Sequence, residues 1–307
     1  MNAHGRSLCV KSIPKNRTDA SSVAVIIVHY GEQSLTERAI ESVQKLNPAP
    51  GQIYVVNNGP SDWVCQPMSA VRVLDRTENS GYAGAVNAGA AAAKSAGFKF
   101  IWILNNDVVV DHSSIAHFVQ AYDDEPLVEI LGSYVMQGDS CWFGGGRISR
   151  RTGRATHNNF GLPLEEMDAT GHSPTDWVNG CSMFIPLTSF EKRGWFDEFF
   201  FLYKEELEWQ LRAPLLRARV IHLPLVDHQV GATTGSTDGR LGRVFMARNG
   251  LILATRQVGV HRAMWLSTWV WDFVCRPTLL LRWRELRDNM TGAASARTDP
   301  HAVLAKL

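Results

Sequence analysis

The sequence lacks the paired cysteines that a disulfide framework or a zinc site would need. Its five cysteines, Cys9, Cys65, Cys141, Cys181 and Cys275, are scattered along 307 residues and show no C-x-x-C spacing. An odd, scattered set of cysteines fits a protein that folds in a reducing compartment. We therefore expect a cytoplasmic protein without structural disulfides or zinc.

The sequence also lacks a strong excess of charge of either sign. It has 31 Lys and Arg against 30 Asp and Glu, which gives a formal net charge of +1. Proteins that bind nucleic acid broadly usually carry a strongly basic domain. We therefore expect no nucleic-acid partner.

Long hydrophobic runs are scarce as well. Residues 1–21 are polar and charged, without the apolar run of a signal peptide, and we interpret them as a flexible leader. In the aromatic-rich C-terminal region, the longest charge-free stretch runs from Ala263 to Trp271. This stretch is far too short to cross a bilayer, which excludes a membrane span there.

The first 110 residues contain a regular alternation of apolar strands and helices. The run VAVIIV, from Val23 to Val28, is continuous and β-branched, which is typical of a strand buried on both faces. Further strands are predicted at 52–56, 71–74 and 100–104, with helices at 34–46 and 83–96. This alternation predicts an α/β fold with a parallel, nucleotide-binding type of sheet.

The pattern changes after Asp107. A helix is predicted at 113–122, short strands and Gly-rich loops at 131–186, a helix within 190–216 and at least from Lys204, a strand at 220–226, and helices from Phe245 onward. Long Gly-rich connections more often form a substrate site than a core. We expect an α/β domain at 22–245, divided at about residue 110, and a helical tail at 246–307.

A turn rich in Gly and Asn precedes the second predicted helix. It reads NSGYAG from Asn79 to Gly84, and Asn87 and Gly89 follow inside the helix. Glycines let a backbone approach a ligand closely, and a helix N-terminus favours an anion. The same residues also suit a tight turn before a closely packed small-residue helix, so both interpretations stay open.

Asn105, Asn106 and Asp107 follow the strand at 100–104. They lie at the carboxyl edge of the predicted sheet, where open α/β sheets bind ligands. A carboxylate there can hold a divalent cation against a diphosphate, because hard cations prefer oxygen ligands. A simple turn after the strand is the alternative, since Asn and Asp favour turns.

Glu205, Glu206 and Glu208 open a predicted helix directly after the aromatic block FFFLY. A carboxylate that aromatic residues shield from water can have a raised pKa and act as a general base. The alternative is solvated charge at a helix N-terminus. Because residues one and two apart do not share a helix face, the spacing predicts that only one of these carboxylates reaches a substrate.

One histidine has a suggestive position. His228 lies just past the strand at 220–226 and before a Gly- and Thr-rich loop. A ligand role fits this position, but a lone histidine is more often an ordinary core or surface residue. The spacing alone leaves both interpretations open.

Taken in order, these segments resemble the inverting family 2 glycosyltransferases of the GT-A fold, in particular bacterial rhamnosyltransferase-like members that build surface polysaccharides. The pieces run collinearly from about residue 23 to 235: VAVIIVHYGE, YVVNNGPSD, ENSGYAGAVNAG, WILNNDVVV, DWVNGCSMFIP, GWFDEFFFLYKEELEWQLR and LPLVDHQVGATTG. The resemblance implies a dTDP- or UDP-sugar donor, a Mg²⁺ or Mn²⁺ ion, a glycan or polyprenyl-linked acceptor, and inversion at the anomeric carbon. It also implies a Rossmann-like nucleotide-sugar half at about 22–110 and an acceptor half at about 111–245.

The resemblance assigns roles to individual residues. It implies that Asp107 and His228 hold the metal and that Glu206 is the catalytic base. The nucleotide-sugar side that it implies consists of Val28, His29, Tyr30, Asn57, Asn79, Gly81, Tyr82, Ala83, Asn87, Asn105 and Asn106. The acceptor side that it implies consists of Trp177, Gly180, Asp197 and Glu205.

Three positions depart from the family's pattern. Asn57 stands where many members have an Asp that bonds the pyrimidine base, Glu206 replaces an Asp, and Asn105 replaces the first carboxylate of the metal motif. These departures leave a non-catalytic sugar-nucleotide-binding protein as an alternative. A sugar-nucleotide pyrophosphorylase is another, but HYGEQSLTER is a poor match to the Gly- and Lys/Arg-rich loop that it would need after the first strand.

The tail combines tryptophan with arginine. Its members are Trp265, Trp269, Trp271 and Trp283, among Arg262, Arg276, Arg282, Arg284 and Arg287. This composition on an amphipathic helix suits a membrane interface, which would make the protein peripheral on the inner face of the cell membrane. Packing on the catalytic domain, or on a second subunit of a homodimer, is the alternative.

Overall fold

The computed structural model describes residues 18–59, 70–212, 214–229 and 239–307. Of the leader expected at 1–21, only residues 18–21 are among them. The ends of two family-like segments, from Pro60 and from Val230 onward, also lie outside the described residues.

The first half of the chain forms a parallel sheet. Its strands are β1 (Val23–His29), β2 (Gln52–Asn57), β3 (Val71–Asp75) and β4 (Phe100–Asn105), in the order β4–β1–β2–β3. Helices α1 (Gln33–Gln44) and α2 (Gly81–Ser95) connect β1 to β2 and β3 to β4. The predicted α/β fold with a nucleotide-binding type of sheet is confirmed.

The second half extends this sheet to ten strands. After β5 (Val108–Val110) and α3 (Ser114–Asp124) come β6 (Ile130–Gln137), β7 (Ser140–Phe143), a hairpin of β8 (Gly146–Ile148) and β9 (Ala155–His157), β10 (His172–Thr175), β11 (Ser182–Pro186) and, after two short helices, β12 (Ala218–His228). β11 is antiparallel to β4, and β6, β12 and β10 follow it.

The register brings the functional segments to one edge. Ser182 pairs with Leu104, so β11 starts where β4 ends. His228, the last residue of β12, pairs with Val108 just past the turn that follows β4. The carboxyl end of β4, the start of β11 and the end of β12 therefore meet, although they lie far apart in the sequence.

The small-residue helix α2 packs directly on the sheet. Every residue of β1 is buried, and a Cβ on Gly89 would lie 2.5 Å from Cγ2 of Ile26. Only a residue without a side chain permits this approach, because interiors are close-packed. Gly89 is therefore explained by packing, which was one of the two interpretations of this segment.

The helix expected within 190–216 is interrupted, and here the prediction needs correction. The chain forms α4 (Leu187–Arg193), a 3₁₀ turn at Glu198–Phe200 and the seven-residue α5 (Glu205–Leu211). Between the 3₁₀ turn and α5, Phe201, Tyr203 and Lys204 have φ values of +63°, +66° and +67°. This left-handed backbone is costly for residues with side chains, so tertiary contacts must hold it.

The tail consists of α6 (Arg240–Arg256), α7 (Gly259–Val270), a π-helical turn at Trp271–Cys275, α8 (Arg276–Leu279), α9 (Trp283–Ala294) and α10 (Pro300–Leu304). The boundary expected at residue 246 falls inside α6. Trp265 is buried and donates its indole N–H to the carbonyl of Arg150 at 2.9 Å, so it belongs to the core and not to a Trp-rich surface. No helix in the described part of the chain has the length and hydropathy to cross a membrane.

α6 supplies the contacts that hold the left-handed loop. The buried amide nitrogen of Asn249 lies 2.8, 2.8 and 2.7 Å from the carbonyl oxygens of Phe200, Leu202 and Tyr203. The fully buried Arg248 donates to the carbonyl of Phe199 at 2.8 Å and to that of Thr298 at 2.9 Å. We name residues 199–204 the clamped loop, because these two side chains satisfy carbonyls that the strained backbone leaves without partners in a helix or sheet.

We expect Asn249→Ala to lower the free energy of unfolding by several kcal/mol. Each buried polar group left without a partner costs about 1–3 kcal/mol, and several carbonyls would lose their donor. Chemical denaturation would measure the change. The matched control is Gln257→Ala, which removes one hydrogen bond of 3.2 Å from a side-chain amide to the carbonyl of Leu253 near the end of α6. An equal loss of stability in both variants would contradict the proposed role of Asn249.

Candidate active site

A cavity of about 510 Å³ opens at the edge where β4, β11 and β12 meet. Most of the residues that the sequence assigned to a site line it: Val28, Tyr30, Asn79, Gly81, Tyr82, Asn105, Asn106, Asp107, Trp177, Gly180, Glu205, Glu206 and His228. The carboxyl end of a parallel sheet is where α/β folds place their ligands. The fold therefore brings the acidic helix, the turn after β4 and His228 into one site.

His29 and Asn57, which were assigned to the nucleotide side, do not line this cavity. His29 is buried, with Nδ1 at 2.6 Å from Oγ1 of Thr36, and burial lowers the pKa of its imidazole. The amide of Asn57 donates to Oδ1 of Asp75 at 3.0 Å, across from β2 to β3. Both positions lie at the ends of neighbouring strands, but their side chains contact protein groups outside the cavity wall.

Ala83, Asn87 and Asp197 also lie outside the cavity wall, where they fix the segment that leads to the acidic helix. The N–H of Ala83 donates to the carbonyl of Phe201 at 3.3 Å. Asn87 both donates to the carbonyl of Phe196 and accepts from its N–H, at 3.0 Å in each case. Asp197 caps the 3₁₀ turn and forms an ion pair of 2.7 Å with Arg256. Asp197 thus contacts the 3₁₀ turn and Arg256 outside the cavity wall, and the acceptor-side role expected for it stays a prediction.

Asn58 organises the turn before α2 and was missed in the sequence. Its amide nitrogen donates to Oδ1 of Asn79 and to the carbonyl of Gly81, at 3.0 and 2.9 Å, while its Oδ1 accepts from the N–H of Ser80 at 2.9 Å. Asn79 in turn accepts from the N–H of Gly81 at 2.9 Å. The N–H groups of residues 80, 81 and 83 therefore already have acceptors in the protein, and the anion site expected at this helix N-terminus loses these donors.

Asp107 and His228 form the pair expected of a metal site. Both are buried, and Nε2 of His228 lies 3.1 Å from Oδ1 of Asp107. They come from the turn after β4 and from the end of β12, which the register places side by side. Within the described ranges no group of three His, Cys, Asp or Glu residues could hold a metal. Protein ligands would therefore provide part of a coordination shell, and a bound diphosphate would have to provide much of the rest.

Glu205 and Glu206 both line the cavity, contrary to the prediction from helical spacing that only one of the three glutamates would reach it. Their place in the first turn of α5, after the left-handed Lys204, brings consecutive residues to the cavity. Glu208 points away, to Arg212 at 2.6 Å and Arg256 at 3.6 Å. The rule that residues one or two apart do not share a helix face applies along a regular helix, and it does not hold in the first turn of a short helix that begins at a cavity.

The two cavity carboxyls have different electrostatic surroundings. Burial raises the pKa of Glu205 well above its usual value, and the charge of Glu206 raises it further. Burial also raises the pKa of Glu206, but backbone N–H groups and the Lys204 ammonium oppose this shift. Of the two, Glu206 therefore ionises more readily and is better suited to accept a proton.

An aromatic wall lines the same cavity and has no local signature in the sequence. It is formed by Trp142, His157 and Trp177, from β7, β9 and the segment before β11, with ring centroids 4.9 Å apart for Trp142 and His157 and 5.5 Å for His157 and Trp177. Trp142 also lies 4.8 Å from the ring of His228. Burial lowers the pKa of His157, which favours its neutral form. The wall can pack against the apolar face of a ligand.

The tail closes another side of the cavity. Leu241 and Met246 of α6 and Leu304 of α10 are among the lining residues. The sequence divided the tail from the catalytic domain because only composition was available to locate the boundary. The site in fact includes residues from both.

Three buried polar atoms without a hydrogen-bond partner among the described residues belong to side chains that line this cavity. They are Nε1 of Trp177, Oε2 of Glu205 and Nδ1 of His228. Buried polar groups are nearly always satisfied, by protein, water or ligand. The three atoms are therefore candidates for contact with water or a ligand.

Cys181 and Tyr82 are unsuited to nucleophilic attack. Burial raises the pKa of the Cys181 thiol well above its usual value, and Asp107 and Glu206 raise it further. Burial likewise raises the pKa of Tyr82 well above normal, and its neutral hydroxyl donates to the carbonyl of Gly180 at 2.8 Å.

The chain is similar to N-acetylglucosaminyl-diphospho-decaprenol L-rhamnosyltransferase of Mycobacterium tuberculosis. This chain is 23% identical to it over 283 residues, which covers 84% of this chain and 92% of that protein. The similarity thus extends through nearly the whole length of the relative.

Solved structures share the fold at lower sequence identity. GalNAc-T7 with UDP, GalNAc and Mn²⁺ superposes with a TM-score of 0.57 at 13% identity, over 81% of this chain and 54% of that one, so this chain spans about half of its length. S. aureus TarS 1-349 in complex with UDP-GlcNAc superposes with a TM-score of 0.54 at 14% identity, over 92% of this chain and 83% of that one. The mannosyltransferase PcManGT of Pyrobaculum calidifontis in complex with GDP-Man and Mn²⁺ superposes with a TM-score of 0.51 at 14% identity, over 94% of this chain and 79% of that one.

These structures are GT-A glycosyltransferases, which confirms the expected fold class. The family model for "Glycosyl transferase family 2" matches residues 24–184, just over half of the chain, from β1 into β11. The matched segment contains the parallel sheet, the turn with Asp107 and the aromatic wall. The chain therefore belongs to glycosyl transferase family 2.

Proposed function

We propose that this protein is a metal-dependent, inverting glycosyltransferase that moves rhamnose from a dTDP- or UDP-activated donor to a polyprenyl-linked glycan in bacterial surface polysaccharide synthesis. The observation that carries this proposal is the convergence of the Asp107–His228 pair and the Glu205–Glu206 pair on one cavity. The name of the mycobacterial relative supports the choice of sugar and acceptor. Family membership favours transfer over the pyrophosphorylase and non-catalytic alternatives.

Asp107 and His228 are the residues that would hold the cation. The fit rests on their contact at 3.1 Å, their burial, and the unpartnered Nδ1 of His228. Mg²⁺ or Mn²⁺ bound there would neutralise charge on the donor diphosphate and on the leaving group. Asn105 lines the cavity beside them and offers a neutral oxygen in place of a second carboxylate.

Glu206 acts as the general base. Its carboxylate takes the proton from an acceptor hydroxyl while the hydroxyl oxygen attacks the anomeric carbon. The bond from that carbon to the diphosphate oxygen breaks, and attack from the opposite face inverts the configuration. Glu205, whose pKa burial raises well above normal, remains protonated to higher pH and can donate a hydrogen bond to the bound sugar.

The exposed surface of the tail would lie on the membrane that holds such an acceptor. Its large apolar side chains include Val258, Leu281 and Trp283, exposed by 81%, 70% and 61%. Exposed arginines accompany them at positions 262, 282 and 284. Tryptophan and apolar groups with flanking cations suit the interface of an anionic bilayer. Trp265 plays no part in this surface, because it is buried.

Asp107→Ala should abolish sugar transfer to a polyprenyl-linked acceptor while the protein still folds. Loss of metal-assisted charge stabilisation corresponds to a fall of about 100-fold or more, and EDTA should reproduce it in the wild type. The assay screens dTDP- and UDP-sugars with Mn²⁺ and Mg²⁺. Asp227→Ala, at an exposed carboxylate adjacent to His228, is the control and should transfer normally. Full wild-type activity in EDTA would refute the proposed dependence on a metal ion.

Glu206→Gln should reduce transfer by about 10²–10⁴-fold with little change in donor affinity. Glutamine keeps the shape and hydrogen bonding of the side chain but cannot accept the proton. Glu208→Gln, which loses only its arginine contacts outside the cavity, should have a much smaller effect on the chemical step. Near wild-type transfer by Glu206→Gln, together with a large loss in Glu205→Gln, would assign the base to Glu205 instead.

Glu205→Gln should raise the melting temperature at neutral pH. A folded-state pKa above the unfolded value of about 4.5 means that Glu205 favours folding only when protonated, and this contribution is lost as pH rises through the folded value. Glutamine avoids the loss, so the gain over wild type should be present at pH 7–8 and vanish toward pH 4. Thermal melts across this range test it. A gain that does not depend on pH would contradict the assignment.

A further inference from the structure

A second cavity of about 770 Å³ lies beside the active site, between the β8–β9 hairpin and the tail. We call it the tail groove, and its principal lining residues are Arg154, Ala155, Trp271, Arg276, Leu279 and Leu280. Neither the family resemblance nor the roles assigned above include it. The family match also ends at residue 184, before the helices that form one side of the groove.

The tail groove adjoins the active-site cavity. Ala155 lines both. It is the first residue of β9, and His157, the last residue, belongs to the aromatic wall of the active site. At about 3.3 Å per residue, the two positions are about 7 Å apart. A ligand that extends from the active-site cavity past Ala155 would therefore reach the groove.

The charges of the groove favour an anion. Arg154 adjoins Ala155, and the exposed Arg276 lines the groove as well. Asp272 opposes them with one negative charge, through a long contact of 3.4 Å to Arg154. Two guanidinium groups thus face one carboxylate, and guanidinium is the side-chain group best matched to phosphate.

The rest of the groove is apolar and exposed. Trp271, Leu279 and Leu280 are exposed by 51%, 70% and 51%. Such side chains gain free energy from any hydrocarbon that covers them. A water-soluble glycan would leave these three side chains uncovered.

We propose that the tail groove binds the diphosphate and the first isoprenoid units of a polyprenyl-linked acceptor, while the acceptor's sugar occupies the active-site cavity. The sugar, the diphosphate and the hydrocarbon chain of such an acceptor match the sugar site, the arginines and the apolar side chains of the two adjoining cavities. This inference rests on the proposed function for the identity of the acceptor. It adds the residues that select for the lipid.

The test uses two soluble probes, N-acetylglucosaminyl diphosphate with a ten-carbon isoprenoid chain and the same compound with an ethyl group. Binding to the full-length protein is measured by calorimetry without donor, and transfer is measured separately with donor and Mn²⁺. The groove variants are Leu280→Ser and Arg276→Gln. The controls are Leu281→Ser and Arg284→Gln, at exposed positions outside the groove lining.

Wild type should bind the isoprenoid probe more tightly than the ethyl probe. Leu280→Ser should weaken binding of the isoprenoid probe by about 5–10-fold and leave the ethyl probe unchanged. Arg276→Gln should weaken both probes by about 10-fold, because it removes a charge-assisted contact to phosphate. Both controls should bind like wild type, and donor affinity should be the same in all variants.

The proposed role of the tail groove would be overturned if wild type bound the two probes with equal affinity. It would also be overturned if the groove variants and the control variants bound the isoprenoid probe with equal affinity. Binding to phosphatidylglycerol vesicles without acceptor is measured in parallel. Leu281→Ser should lower it, as the membrane surface proposed for the tail requires. If Leu280→Ser lowers vesicle binding but leaves probe affinity unchanged, Leu280 is a membrane contact and the groove is again overturned. Groove-dependent binding without transfer by wild type would instead refute the proposed activity.

Discussion

The hydrogen bonds from Asn249 and Arg248 to the clamped loop are the constraint on which the site depends. Phe201, Tyr203 and Lys204 have backbone conformations with positive φ, which are costly for residues with side chains. The carbonyls beside them receive donors from α6, a helix that begins 36 residues after Lys204, at Arg240. Because the loop is held in this shape, α5 begins at the cavity and presents Glu205 and Glu206 to it together. Arg248 donates to other carbonyls, those of Phe199, Ser295 and Thr298, and burial lowers its pKa to about 10.

Contacts from α6 stabilise the loop that leads to the site, whereas the buried carboxyls of Glu205 and Glu206 destabilise the folded protein. Two adjacent carboxyls are partly or fully buried, one of them with an unpartnered oxygen. Burial of carboxylates costs free energy unless charges or hydrogen bonds compensate. Lys204 provides that compensation for Glu206, although burial lowers the pKa of the lysine itself. The asymmetry makes Glu206 ionise more readily than Glu205, and such a separation is the property that acid–base chemistry needs.

The tail has two roles that composition could not separate. Its inner face contributes Asn249 to the clamped loop, Leu304 to the cavity and the buried Trp265 beneath the β8–β9 hairpin. Its outer face carries exposed Leu and Trp side chains with arginines. The sequence interpretation grouped all four tryptophans with the membrane-facing surface, and burial of Trp265 corrects it. Trp269, which donates to the carbonyl of Ala247 at 2.8 Å, is likewise tied to α6.

The sequence by itself determined the parallel sheet, the placement of Asp107 after β4 and the glycosyltransferase family. These follow from local periodicity and from motifs whose order along the chain is fixed. Only the tertiary structure decided that Glu205 joins Glu206 in the cavity, that Asp197 pairs with Arg256, and that Trp142 and His157 form a wall. The physical reason is that burial, left-handed backbone and side-chain partners depend on contacts between distant segments. Asp197 and Arg256, for example, are 59 residues apart, so no local pattern shows their contact.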